Sequence, residues 1–313
     1  MRVLVTGKDG QVGRELAALP HTEFEMVMAG RGDCDLAREE SIRSLVRRVA
    51  PDAIVNAAAY TAVDKAETEQ DLCFAVNATA PGALAEEAAR LGALLIHYST
   101  DYVFDGTKGG PYVESDPVAP LNTYGASKEA GERAVAAANG RFLVLRTSWV
   151  YGSHGKNFLS TMLRLAQERP EIRVVDDQIG APTSAGAIAR ATARLLRQYA
   201  LPSTSVPSGI YHMTAGGSTS WCGFARAIFE ARSAGANPQA VNPRILNPRV
   251  VAITSEEYPT PAKRPKNSRL SNDRFNLFFG FHMPQWQEQM AEVVAAVRQP
   301  NLVSFLRTPG ERE

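Results

Sequence analysis

The stretch "VLVTGKDGQVGREL", residues 3–16, decides how the chain begins to fold. A short apolar run passes straight into three glycines, Gly7, Gly10 and Gly13, and then into a helical pattern. Each glycine stands where a side chain would obstruct. One makes the tight turn, one lets backbone approach a pyrophosphate, and one permits close packing of helix on strand. The helix N-terminus then presents unpaired N–H groups and a partial positive charge to phosphates. The spacing is GxxGxxG rather than GxGxxG. The strand before it and the helix after it make it a dinucleotide-binding signal.

Outward from this turn, short apolar runs alternate with amphipathic segments. Residues 2–5, 25–30, 52–58, 93–99 and 142–148 read as strands, several apolar almost throughout, as parallel strands covered on both faces should be. Helical patterns occupy about 11–19, 39–49, 74–91 and 125–139, with a kink or break expected at Pro81 and Gly82. This alternation predicts an α/β fold, a Rossmann-type doubly wound parallel sheet. The second strand runs into "AGRGDCDLAREE" (29–40). Arg31 suits a cofactor 2′-phosphate, and Asp35 with Leu36 suits the adenine end. Ordinary solvated loop charges explain the same residues equally well. The Arg31 reading favours NADPH, with NADH as the alternative.

After Val150 the rhythm changes. Helices are expected at about 157–169, 184–199, 220–234 and 285–298, and strands at 172–177 and 209–214. Six prolines between 235 and 270 predict an irregular segment. The expected organisation is a nucleotide-binding domain over 1–150, with returns from about 172–200. A smaller, loop-rich α/β substrate lobe over 151–313 is interleaved with it.

Composition narrows the function. The chain has 34 basic and 33 acidic residues and a formal net charge of +1, so no basic field points to nucleic acid. No apolar run approaches the roughly 20 residues that span a bilayer. The start, "MRVLVTGKDG", is too short in apolar residues for a signal-peptide core. Three scattered cysteines suit a reducing compartment, and no histidine has ligand spacing. The expectation is a cytoplasmic, metal-independent protein.

One further stretch, "NTYGASKEAGERA" (122–134), sets Tyr124 four residues before Lys128 at a helix start. One helical turn brings the two side by side, and an ammonium beside a phenol lowers its pKa and suits it to proton transfer. A surface tyrosine beside a solvated lysine is the plainer reading of the pair alone. The glycine turn, this pair and "HYSTDYVFDG" (97–106) in that order resemble the extended short-chain dehydrogenase/reductase family. Adding "NAAAYTAVDKAE" (56–67), "RTSWVYG" (146–152), "DDQIGAPT" (176–183) and "PAKRPKNSRL" (261–270), the resemblance is to its dTDP-4-dehydrorhamnose reductases, over nearly the whole chain.

The resemblance implies NAD(P)H-dependent reduction of the 4-keto group of dTDP-4-dehydro-L-rhamnose to dTDP-L-rhamnose, a precursor of cell-surface polysaccharide. It implies that Gly10, Gln11 and Val12 touch the pyrophosphate and that Asp35 and Leu36 lie at the adenine. Ala58, Ala59 and Tyr60 line the cofactor, with Tyr60 where the family usually has His. Thr100 and Asp101 sit at the sugar, Tyr124 is the proton donor, Lys128 binds the nicotinamide ribose, and Trp149 covers the sugar ring. Core aromatics are the plainer reading of Tyr60 and Trp149. In the proline-rich segment, Lys263, Arg264, Lys266 and Arg269 suit a pyrophosphate, with Arg264 and Asn267 as the matched positions. Gln178 and Thr183 are expected to face the pocket.

Some members of the family are dimers bridged by magnesium through glutamates. The C-terminal one of these falls near Ala296 here, with Glu288 and Glu292 out of register. No such metal is expected, and a homodimer is left open. Two rivals remain: an NDP-sugar epimerase or dehydratase on the same fold, and a non-catalytic regulatory homologue.

Overall fold

The structure, a computed structural model, describes residues 1–20, 22–201, 207–234 and 248–297. Strand β1 (Arg2–Thr6), helix α1 (Gln11–Ala18), β2 (Glu25–Ala29), α2 (Glu39–Val49) and β3 (Ala53–Asn56) alternate as the pattern predicts. Two short helices follow, α3 (Val63–Ala66) and α4 (Gln70–Phe74), and α4 runs through a π-helical turn at Ala75–Thr79 into α5 (Ala80–Leu91). The expected irregularity therefore lies just before Pro81 rather than at it. Proline has no N–H for the carbonyl four residues back, and its ring crowds that group. The carbonyl in question is that of Asn77, in the middle of the widened turn. Next come β4 (Leu94–Thr100), a 3₁₀ turn (Asp101–Val103), α6 (Thr123–Ala137) and β5 (Arg141–Thr147).

The second half holds β6 (Val150–Tyr151), α7 (Phe158–Glu168), β7 (Glu171–Val175), β8 (Ile179–Gly180), β9 (Thr183–Ser184), α8 (Ala185–Ala200) and β10 (Gly209–His212). It continues with β11 (Thr219–Ser220), α9 (Trp221–Ala234), β12 (Arg249–Ile253), α10 (Asp273–Phe279) and α11 (Trp286–Val297). The six-stranded sheet has the order β10-β5-β4-β3-β1-β2, with every pairing parallel. The strand order reverses between β1 and β3, and crevices for nucleotides open beyond the strand C-termini at such a point.

Alternate strand residues face opposite layers. Val3, Val5, Val55, Ile96 and Leu143 pack with Leu16 of α1, Ile188 and Leu195 of α8 and Phe275 of α10. Leu4, Ile54, Leu95 and Val144 pack with Ile42 and Val46 of α2, Leu84 of α5 and Val135 of α6. Each fully buried Leu, Ile or Val contributes about 1.5–3 kcal/mol, so these two layers hold the sheet together. A third cluster, with Tyr151, Leu159, Ile172, Phe224, Ile228, Trp286 and Met290, is the core of the smaller lobe.

Two expectations need correcting. Residues 172–175 do not return to the large sheet, because β7 pairs in parallel with β12 inside the smaller lobe. The rest of the expected return is made by α8, and the edge strand β10 and α10 join it. The proline-rich segment also contains a regular strand, β12, whose five residues carry no proline. Residues 235–247 of that segment, and the tail from 298, lie outside the described residues.

Candidate active site

The glycine turn closes as the sequence requires. Gly7 has φ +78°, and a Cβ there would lie 2.7 Å from the Ala57 carbonyl carbon and the Ala58 nitrogen. A Cβ on Gly13 would lie 2.1 Å from the Gly7 oxygen. Gly10 caps α1 in an extended conformation, and the first helical amide bond is Arg14 N to Gly10 O at 3.0 Å. The amides of Gln11, Val12 and Gly13 thus open the helix as a free anion-binding end. The Gln11 side chain is turned away from this end. Its Nε2 donates to Val150 O at 3.4 Å and its Oε1 accepts from Asn157 Nδ2 at 3.1 Å, so any phosphate contact falls to its backbone.

At the end of β2, Arg31 is exposed, Asp35 accepts from Ala37 N at 3.0 Å, and Leu36 packs on the second core layer. Sequence reasoning missed Lys8, inside the glycine turn. Its Nζ lies 2.7 Å from Asp33 Oδ2, and its chain crosses Gly30, where a Cβ would meet Lys8 Cε at 2.8 Å. The Gly30 amide and Lys8 hold the Asp33 carboxyl below its usual range. A lysine between two glycines of the turn was the signal for a second cation at this point.

The loop after β3 is fixed by a residue the sequence reading did not single out. Buried Asn77, in the π-turn, accepts from Tyr60 N at 2.8 Å and donates to Tyr60 O at 3.0 Å and Ser127 Oγ at 3.1 Å. This fixes the backbone of the loop, in which Ala57 and Ala58 pack against Gly7 and Ala59 and Tyr60 follow. The Tyr60 phenol points out to Glu69 at 2.5 Å, and that bond pushes its pKa up to about 12.

Thr100 ends β4. Its Oγ1 accepts from Tyr102 N at 3.1 Å and donates to Asp101 Oδ1 at 3.1 Å. Helix α6 begins at Asn122, whose Oδ1 accepts from Gly125 N at 2.8 Å and whose Nδ2 donates to Lys263 O at 2.7 Å. Gly125 is required by close approach, since a Cβ there would lie 2.2 Å from the Tyr102 oxygen. That approach brings the Tyr124 phenol to face the Thr100 hydroxyl.

The Tyr124–Lys128 pair differs from the reading of its spacing. Burial raises the Tyr124 pKa, opposed by the Thr100 bond. Lys128 is turned away from the phenol: its Nζ donates to Tyr98 O at 2.6 Å and lies 3.3 Å from His97 Nε2. A buried ammonium seeks acceptors, and the strand beneath supplies a carbonyl. Burial pushes the Lys128 pKa down to about 8, against the charge of Glu132. Glu132 itself accepts from Ser99 at 2.5 Å and pairs with Arg146 at 2.6 Å, all buried. Asp101 is 3% exposed, and its Oδ2 has no hydrogen-bond partner among the described residues. Desolvation pushes this carboxyl up to about 7.

Trp149 has φ +48° and stacks on Trp221 at 3.6 Å. One face is thus covered by protein, and a sugar can meet only what remains. Trp221 was not singled out from the sequence. Thr183 does not face a pocket: it is fully buried, donates to Ala181 O at 3.0 Å and accepts from Ala215 N at 3.0 Å. Gln178 is mostly buried and donates to Ser255 Oγ at 2.9 Å. Asn267 is also committed, donating to Lys108 O and Gly110 O at 2.6 and 2.8 Å and accepting from Arg269 Nε at 2.9 Å. It pins the 108–110 loop instead of presenting a free amide. Arg264 is half-buried and paired with Asp64 at 2.8 Å, and Lys266 is paired with Asp177 at 3.2 Å. Arg264 lies near Tyr102 and so borders the site, already neutralised. Glu292 is likewise paired, with Arg190 at 2.8 Å.

Comparison with known proteins points the same way. The family model described as the RmlD substrate binding domain matches residues 1–299. A dTDP-4-dehydrorhamnose reductase of Burkholderia thailandensis is 50% identical, over 92% of this chain and 96% of its own. One of Escherichia coli is 46% identical, over 92% and 95%. A crystal structure of dTDP-4-dehydrorhamnose reductase from Bacillus anthracis, in complex with NADP, superposes with TM-score 0.85 at 34% identity, covering 94% of this chain and 99% of that one. Similarity of this extent and coverage places the chain in the RmlD substrate-binding-domain family, among the dTDP-4-dehydrorhamnose reductases.

Proposed function

We propose that the protein reduces the 4-keto group of dTDP-4-dehydrorhamnose with NADPH, NADH serving as the alternative donor. The observation that carries this is the approach of the Tyr124 phenol to Thr100 at the C-terminal end of β4, in the same parallel sheet whose β1 leads into the glycine turn, with Lys128 buried on the same helix. The turn fits a dinucleotide, because its glycines leave the space that Cβ atoms would fill and three helix amides point into it. Lys8 and Arg31 at the adenosine end support a 2′-phosphate, while Asp33 and Asp35 are available to a ribose hydroxyl.

Bound there, the reduced nicotinamide supplies the hydride that goes to C4 of the sugar. Tyr124 gives its phenolic proton to the ketone oxygen as the new C–H bond forms. Its raised pKa keeps that proton in place at neutral pH until charge develops on the oxygen. The Thr100 hydroxyl donates a hydrogen bond to the same oxygen. Lys128, on the same helix as Tyr124, is assigned to the nicotinamide ribose. Asp101, which accepts from the Thr100 hydroxyl, is assigned to the sugar side of the site. Trp149, propped by Trp221, flanks the sugar.

Among the described residues no helix is long and apolar enough to cross a membrane, and the three cysteines are free and buried. These thiols support work in a reducing cytoplasm. A homodimer is the assembly carried over from the family, and sedimentation equilibrium reads it directly. The test of the reaction is NADPH absorbance with dTDP-4-dehydrorhamnose as substrate. One NADPH oxidised per sugar is expected, and no oxidation with either cofactor overturns the proposal.

A further inference from the structure

Four buried polar side chains form one line across the nucleotide-binding half. Thr6, Asn56 and His97 are register partners on β1, β3 and β4, and Lys128 reaches down to them from α6. Thr6 Oγ1 donates to Asn56 Oδ1 at 2.6 Å, Asn56 Nδ2 lies 3.0 Å from His97 Nδ1, and His97 Nε2 lies 3.3 Å from Lys128 Nζ. All four are at most 2% exposed. Two residues earlier on each strand the same face carries Leu4, Ile54 and Leu95, so the line interrupts an apolar layer. A buried polar group left unpaired costs about 1–3 kcal/mol, and the bonds that satisfy these side chains run from one to the next, ending at Lys128, which also donates to Tyr98 O.

We propose that His97 is a positioning residue for Lys128, held by Asn56 and Thr6, and that the hydrogen-bond polarity of the line is coupled to the charge on Lys128. This rests on the placement of Lys128 in the active site. Burial, with Lys128 beside it, keeps the imidazole neutral. A neutral imidazole has one donor and one acceptor nitrogen. With Lys128 charged, Nε2 must accept from the ammonium. Nδ1–H then donates to the Asn56 oxygen, and the Asn56 amide donates to Thr6. With Lys128 uncharged, Nε2–H donates to the amine, Nδ1 accepts from Asn56 Nδ2, and Thr6 donates to Asn56 Oδ1. The structure has Asn56 Nδ2 toward His97 Nδ1 and Thr6 Oγ1 toward Asn56 Oδ1, the amide orientation of the second arrangement.

The two arrangements differ only by an amide flip and a tautomer, so the line follows the proton without moving the backbone. The titratable groups facing Lys128 are His97 from β4, Glu132 from α6 with Arg146 of β5 behind it, and Cys73 from α4. Tyr124 stands one turn before it on α6. Glu132 favours the ammonium through its charge, whereas His97 favours it through an acceptor lone pair and a fixed position.

The test measures the pH dependence of kcat and of NADPH affinity in the full chain, for wild type and three variants. In His97→Leu the alkaline limb is expected to move down by about one pH unit, with kcat at pH 7.5 reduced roughly 3-fold and the sugar-nucleotide KM unchanged. His97→Gln, whose amide oxygen can accept from Lys128, keeps the limb in place. Asn56→Asp can only accept, so it commits the Nε2 lone pair to Lys128 and moves the limb up. An unmoved limb in His97→Leu, or equal losses in His97→Leu and His97→Gln, overturns the proposal. Should His97→Leu lose its near-UV circular dichroism, Asn56→Asp decides, and the absence of an upward shift is fatal. If wild type binds NADPH without oxidising it, the reaction assignment fails, while the pH profiles of binding still test the line.

Discussion

At the scale of single residues, the site separates two groups that their spacing groups together. Tyr124 and Lys128 share a helix face, yet the phenol faces Thr100 and the ammonium bonds the strand below. Removing the phenolic hydroxyl should therefore stop proton delivery and leave cofactor binding alone. Tyr124→Phe is expected to lower kcat by roughly 10²–10⁴-fold with NADPH affinity within twofold, measured by stopped-flow and fluorescence titration. Asp101 gives a stability prediction. Its folded pKa, about 7, lies above the unfolded value near 4, so the folded state holds its proton more tightly. The stability this group confers is complete below pH 4 and is lost as pH rises through 7. Asp101→Asn removes that loss. Its advantage over wild type in urea unfolding should grow between pH 4 and 8, to at most about 4 kcal/mol. A pH-independent difference contradicts this.

At the scale of elements, the site depends on how closely α6 approaches its neighbours. Gly125 lets α6 meet the turn after β4, and Gly131 lets it meet the π-turn, where a Cβ would lie 2.1 Å from the Asn77 oxygen. Replacing a mid-helix glycine with alanine ordinarily stabilises by about 1 kcal/mol. Here the sign should reverse. Gly131→Ala is expected to destabilise by roughly 1–3 kcal/mol, as overpacking does, and to lower turnover by moving Asn77 and Lys128. A higher melting temperature in that variant refutes the close-packing account. The glycines of "YGASKEAGE" were visible in the sequence, but their partners were not, because Tyr102 and Asn77 lie 23 and 54 residues away along the chain. Pro81 announced an irregular helix, while the placement of the wide turn around Asn77 depended on what packs there. Strand β12 escaped notice because the prolines around it dominate the composition, and only its pairing with β7 makes it a strand.

At the scale of the whole molecule, the two halves are threaded through one another. The core of the nucleotide-binding half takes Ala187, Ile188 and Leu195 from α8, Tyr211 from β10, and Phe275 and Phe279 from α10. A fragment of residues 1–150 lacks all of these and leaves β5 as a bare edge. It should be soluble only as an aggregate or a loosely folded state, without the cooperative urea transition of the full chain. Cooperative unfolding of the fragment shows that the later returns are dispensable. The same threading carries the glycine turn to the smaller lobe, through Gln11 to Asn157 and Val150.

By itself the sequence determined the alternating strands and helices, the glycine turn and the helix that carries Tyr124 and Lys128, because each is a local pattern. Apolar alternation, glycine spacing and a helical repeat act over a few residues and survive any arrangement of the rest. Only the tertiary structure decided the partners: Asn77 with Tyr60, Lys128 with His97 and Tyr98, Arg264 with Asp64, and Trp149 with Trp221. It also decided that Thr183 and Asn267 hold the protein together rather than a ligand. The physical reason is that a buried polar group must find whichever complement lies within about 3 Å, and that choice is made by packing between segments far apart in the chain.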